Sequence, residues 1–206
     1  ITIKEWTSGS AIGTDEEADL VPYVTFSAKS EQTFKMDFQS FTLDTGDYFE
    51  YSVGGDNWQQ FTSTIDNIAF GGAKGNLRLR GKSSKGTAVS DTNYSTISFG
   101  NTTAVSCTGD IRTLIDYKSY ASANTENARF CYLFSGCTAL STAPELPAMT
   151  LADYCYNFMF TNCSSLTTAP ELPSMTLDVF CYAQMFQNCT SLKTAPALNA
   201  KTLVQS

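Results

Sequence analysis

The chain has 206 residues, 42% hydrophobic and 13% aromatic, which suits one large packed domain or two small ones, so disorder is not the default. Thirteen Lys and Arg against 20 Asp and Glu give a formal charge of −7, so the basic field that draws proteins to phosphate backbones is missing and nucleic acid is not an expected partner. Histidine is absent, which removes the commonest general base and the commonest zinc ligand; a hydrolase would need a carboxylate pair, and none stands out.

Residues 1–21 contain Gly9, Gly13 and the acidic run Asp15-Glu16-Glu17, and read as a tether or an added edge strand. The opening stretch ITIKEWTSGS holds neither an apolar signal core nor an initiator Met, so the chain reads as a processed or cloned fragment. No run approaches the ~20 apolar residues of a membrane span, so no transmembrane segment is expected.

From residue 22 to 108 the pattern is one of short alternating runs separated by Gly, Asn, Asp and Ser. Val24-Thr25-Phe26, Phe34 to Phe38, Phe49 to Val53, Leu77 to Arg80 and Ile97-Ser98-Phe99 each place apolar residues at every second position, as half-buried strands do. Gly54-Gly55-Asp56-Asn57 between two such arms is a hairpin turn signal. About seven strands in this span predict an all-β, immunoglobulin-like sandwich. Residues 109–128 form a junction to the C-terminal part of the chain.

Residues 129–206 repeat with a period of 26. Phe134, Phe160 and Phe186 each precede a Cys by three residues, at Cys137, Cys163 and Cys189; Leu140, Leu166 and Leu192 follow in register. Ala143-Pro144, Ala169-Pro170 and Ala195-Pro196 come next, then Leu146-Pro147, Leu172-Pro173 and Leu198-Asn199. Leu151, Cys155 and Met159 lie four apart, as do Leu177, Cys181 and Met185, which predicts one apolar face of a short helix. Thr150 and Thr176 stand at its expected N-cap, with Asp153 and Asp178 in the first turn. The stretch after each helix, broken by Pro, predicts a short strand and a turn. One copy cannot bury its apolar face alone, so about three copies are expected to stack. Lys201 to Ser206 start a further copy, so more repeats, or some other cover, are expected beyond that edge in the parent protein.

The pattern MFxNCxSLxxAPxLPxxTL in the second and third copies resembles the repeats of BspA-like leucine-rich-repeat surface proteins of Bacteroidetes and other mucosal bacteria. The first copy departs from it, with Arg129 in place of Cys155 and Cys181, and Cys131 in place of Asn157 and Ala183. The resemblance implies an α+β chain: an immunoglobulin-like sandwich followed by a short leucine-rich-repeat-like solenoid. It also implies surface display and adhesion or ligand binding, without catalytic residues. The strands followed by GDIRTLIDY at 109–117 are similar to the module that precedes such repeats, and imply that Ile111, Leu114 and Ile115 form a short capping helix.

Seven Cys could suggest disulfides. The constant register instead points Cys137, Cys163 and Cys189 inward in parallel, with Cβ atoms ~4.8 Å apart, wider than a disulfide prefers, so buried free thiols are expected. Without His or a CxxC pair the usual zinc spacing is missing, and no metal or cofactor is expected. The sequon-like triplets at Asn162 and Asn188 belong to the repeat and read as structural.

The function expected is that of a non-enzymatic binding or adhesion protein, secreted or displayed at the cell surface on the outer membrane, with a lipid anchor in the parent protein, presenting a repeat face to a host protein or glycan. The candidate binding face is Ser141, Thr142, Glu145, Thr167, Thr168, Glu171, Lys193 and Thr194, although these small polar residues also fit plain solvated positions. Two alternatives stay open: a carbohydrate-binding module using Trp6, Trp58, Tyr154, Tyr156 or Tyr182 as stacking platforms, and a structural spacer.

Overall fold

The computed structural model describes residues 21–204. The tether or edge strand expected at 1–21 lies, but for Val21, outside the described residues. Eight strands make up the first part: β1 (Val24–Ala28), β2 (Gln32–Gln39), β3 (Tyr48–Val53), β4 (Gln59–Phe61), β5 (Ile65–Phe70), β6 (Leu77–Lys82), β7 (Tyr94–Phe99) and β8 (Val105–Thr108). Later come β9 (Leu140–Thr142), β10 (Thr176–Leu177) and β11 (Thr202–Leu203).

One sheet has the order β4-β3-β6-β1-β8-β9 and a second has the order β5-β2-β7. The pairing within β1 to β8 is antiparallel. Alternation decides which side faces in: along β2, Gln32, Phe34 and Met36 are buried while Thr33, Lys35 and Asp37 are not. Phenylalanines from the two sheets meet between them, Phe26 and Phe34 at 5.5 Å and Phe38 and Phe49 at 6.1 Å between ring centroids. This packing is that of a sandwich.

β8 continues the first sheet into the repeats, because its far edge pairs in parallel with β9. Beyond β9 the ladder persists as single parallel bridges, Thr142 with Thr168 and Leu172 with Leu198, and as the two-residue pair β10–β11. One buried apolar cluster runs without a break from Val24 to Cys189. Phe26 of the sandwich and Phe134 of the first repeat touch within it, edge to face at 6.2 Å.

The predicted helices are not there. No α-helix occurs among the described residues, only three short 3-10 turns, so the expected α+β class is corrected to all-β. The leucine-rich-repeat-like solenoid is corrected with it: the repeats contain neither a helical layer nor a continuous strand layer. The predicted capping helix is a single 3-10 turn, Ile111–Leu114, whose cap Asp110 accepts a hydrogen bond from the Arg112 amide at 2.8 Å.

The reason lies in the spacing of four. Tyr154, Phe158 and Asn162 have φ of 56°, 53° and 63°, as Phe180, Gln184 and Asn188 do at 53°, 53° and 60°. A right-handed helix needs φ near −60° at each of them. The segment is instead a run of overlapping turns. Odd-numbered amides close locally on the carbonyl three residues back, as in Cys155 to Ala152, Asn157 to Tyr154 and Met159 to Tyr156. Even-numbered amides donate outward to the next repeat, Tyr154 to Val179, Tyr156 to Cys181 and Phe158 to Ala183. Every fourth side chain still points inward, so the apolar pattern matches a helix although the backbone does not.

Three laps of turns therefore lie one over another. Phe134, Phe160 and Phe186 form a column with centroids 5.4 and 5.7 Å apart and planes 3° and 4° from parallel. Phe130, Tyr156 and Tyr182 form a second at 6.1 and 6.0 Å. All seven cysteines are free and buried. Those of one column donate weakly to carbonyls, Cys163 to Phe134 and Cys189 to Phe160, each at 3.0 Å.

Candidate binding face

The Ala-Pro and Leu-Pro pairs decide the shape of the face outside each lap. Proline has no N–H and holds φ near −65°, so the segment stays extended and the parallel ladder is reduced there to single bridges such as Leu172 with Leu198. At the first lap the chain then attaches to the junction: the Glu145 amide donates to Gly109 at 2.7 Å, and its carbonyl accepts from Ile111 at 3.1 Å. The Glu145 side chain is left exposed, and Glu171 is exposed one lap on.

Pro144, Pro147, Pro170 and Pro173 with Glu145 and Glu171 line an open groove of about 410 Å³. A second hollow of about 320 Å³ shares Pro170, Glu171 and Pro173 and reaches Pro196. A third, of about 330 Å³, shares Glu145 and extends onto the sandwich, where Tyr23 and Arg78 line it. Neighbouring hollows thus share lining residues, Pro170, Glu171 and Pro173 between the laps and Glu145 towards the first sheet, and the open groove across the first two laps forms a trough.

The expected binding residues divide into four pairs. Glu145 and Glu171 line the trough. Ser141 and Thr142 are spent inside the sheet: the Ser141 hydroxyl donates to the Val105 carbonyl at 2.9 Å, while Thr142 Oγ1 accepts from the Cys107 amide at 3.0 Å and lies 2.8 Å from Ser106 Oγ. Thr167 donates from both its amide and its hydroxyl to the Ser141 carbonyl at 3.2 Å, and Thr168 bridges to Thr142, so both serve the join between laps. Lys193 and Thr194 are exposed and line none of the three hollows. The prolines escaped the residue-by-residue choice, although their constant register is plain in the sequence.

Beside the trough, the outer face of the first sheet carries a stack of cations and rings. The Arg80 guanidinium lies 3.8 Å from the Trp58 ring centroid and 4.1 Å from that of Tyr117, and its Nε donates to Glu50 at 2.7 Å. Arg78 sits 5.1 Å from Trp58 and pairs with Asp56. Burial, followed by a hydrogen bond with Tyr117, pushes the Tyr48 phenol up to about 12.

Of the rings proposed as sugar platforms, Trp6 lies outside the described residues. Trp58 is covered by Arg80 on one face and met by the Tyr23 ring at 5.0 Å. Tyr156 is buried, Tyr182 stacks on it, and Tyr154 leans on Phe180 at 5.3 Å. Asn188 Nδ2 donates to Asn162 Oδ1 at 2.9 Å, so both sequon-like asparagines take part in the stacking of laps.

Among the described residues no group of three or more His, Cys, Asp or Glu could hold a metal ion, and no helix is long and apolar enough to cross a membrane. Comparison with protein-family models, with curated proteins and with solved structures finds no match to the chain.

Proposed function

We propose that this chain is a non-enzymatic binding or adhesion module, secreted or displayed at a cell surface, that takes a protein segment of its host in the trough. The observation that carries the reading is the trough itself. It crosses two repeats in register, its walls are rigid proline rings, and its polar groups are the exposed carboxylates Glu145 and Glu171. Fixed apolar walls with few polar groups suit recognition, because little side-chain entropy is lost on binding. The resemblance of the repeat to BspA-like surface proteins supports the same assignment, including anchoring through lipid in the parent protein.

Trp58 counsels against the sugar-binding alternative, since its ring is already engaged by Arg80 and Tyr23. The test is a panel of extracellular host proteins and an array of glycans, each exposed to the wild type and to the double variant Glu145→Lys, Glu171→Lys. A protein ligand lost in the variant, with unchanged circular dichroism, supports the reading. Binding confined to glycans, or equal binding by the variant, overturns it.

A further inference from the structure

The two carboxylates of the trough occupy one position of the repeat, each three residues past the parallel bridge that joins Thr142 to Thr168. Parallel backbones lie about 4.8 Å apart at such a bridge. Glu145 and Glu171 thus bring two like charges from neighbouring laps to one groove. Among the described residues no Lys or Arg pairs with either of them. Arg78, the cation that lines the adjoining hollow, is held instead by Asp56 and by the Ser52 hydroxyl. Like charges so placed repel. The repeat does not require them, since the third copy has Ala197 at the same place and keeps the Pro196 before it.

The rest of the groove narrows what can neutralise the pair. Its other walls are Pro144, Pro147, Pro170 and Pro173 with Ala143 and Leu146, none of which has a polar side chain. The prolines have no N–H to give, and the Glu145 amide already donates to Gly109. Charged acceptors set in apolar walls turn away an anion and suit a group that only donates. The net charge of −7 adds attraction for cations at longer range. Two carboxylates fall short of the roughly six to eight oxygen ligands that calcium takes. Between the two cationic side chains, the ammonium of lysine is compact and strongly hydrated, whereas the guanidinium of arginine is flat, weakly hydrated and forked. A fork can donate to both carboxylates at once while its plane rests on the proline rings.

Taking the trough as a protein-binding groove, we propose that the segment it accepts is marked by an arginine, whose guanidinium bridges Glu145 and Glu171. The acid pair then sets specificity, favouring arginine over lysine and refusing a neutral or acidic residue at that place.

The test starts from a phage-displayed library of random dodecapeptides selected on the full chain, with the best binder then synthesised. NMR shifts of the Ala143, Glu145, Leu146, Glu171 and Leu172 amides locate it. Arginine should be enriched at one position of the selected peptides. Citrulline there, which keeps the shape and loses the charge, should weaken binding at least about tenfold, and lysine should restore only part of the loss. Glu145→Gln and Glu171→Gln should each weaken the arginine peptide about tenfold and leave the citrulline peptide unchanged. Peptides that move the trough amides without an arginine overturn the arginine assignment and leave the trough as a protein-binding groove. So does an arginine whose loss costs the same in the wild type and in both Gln variants. A library that yields no binder, or binders that leave the trough amides unmoved, overturns both readings. Calcium chloride alone moving those amides as far as the peptide does gives the pair to a divalent cation, and overturns the assignment too.

Discussion

The sandwich and the laps obey different rules. In the sandwich, extended strands alternate in and out, and β2 joins β5 and β7 across long stretches of sequence. In the laps, non-glycine residues with positive φ recur every fourth position, and local turn bonds alternate with bonds that join residues 25 or 26 apart in successive laps. The sandwich rests on backbone conformations that any β-branched or aromatic residue accepts. The laps need conformations that most side chains resist, and hold them by stacking ring on ring and amide on carbonyl. Regular architecture thus comes from easy local geometry in one region, and from interlocking neighbours in the other.

The largest break in this comparison is expected at the centre of the lap columns. Phe160 is fully buried between Phe134 and Phe186. Phe160→Ala should cost about 3–5 kcal/mol, read from urea unfolding, whereas Phe180→Ala at the exposed end should cost about 1 kcal/mol or less. Equal losses would mean that the columns do not carry the laps.

Next comes the join between the regions. Thr142→Val keeps the shape but strips the oxygen that the Cys107 amide donates to and that lies beside Ser106. A loss of about 1–3 kcal/mol is expected, with one unfolding transition giving way to two if Thr142 couples the halves.

A third effect comes with alkali. Burial raises the Cys131 thiol to about 12, and burial with the Tyr117 hydrogen bond raises the Tyr48 phenol to about 12. In both cases the unfolded chain releases its proton first. The stabilisation is therefore complete below the ordinary pKa, near 9 for the thiol and 10 for the phenol, and is lost as pH rises towards 12. Urea midpoints measured from pH 8 upward should fall, and less steeply in Tyr48→Phe. In the native state at pH 8 a thiol reagent should label the seven cysteines slowly, and rapidly once urea unfolds the chain.

The smallest effect should be Phe158→Asn. Asparagine tolerates the left-handed conformation and already occupies it at Asn162 and Asn188, but the change gives up stacking on Tyr132 at 4.8 Å. These terms oppose, and a net change within about 1 kcal/mol is expected. A loss as large as that of Phe160→Ala would show that outward rings matter as much as inward ones.

These two sets of rules also explain what the sequence disclosed. Period two has one structural meaning for a half-buried segment, and Val24 to Phe26, Phe34 to Phe38 and Ile97 to Phe99 all lie in strands. Period four has two meanings. Leu151, Cys155 and Met159 point inward on a helix or on a run of turns, and only φ at Tyr154 and Phe158 separates them. A hint was present in Asn162, Asn188 and Gly136, residue types suited to positive φ, at equivalent positions in the three copies. In the candidate face, Glu145 and Glu171 emerged from their register, while Ser141 and Thr142 could not be separated from them without knowing that β8 lies alongside.

The partnership of β8 with β9 also sets an order of assembly. The acceptor edge of the first lap is completed by Thr87 and Ile97 of the sandwich, and the second lap is completed by the first. As the ribosome releases the chain from its N-terminus, the slow, distant strand pairings can settle before any lap exists. Each lap emerging afterwards meets carbonyls or amides already in place about one repeat away, an arrangement that suits folding in the direction of synthesis.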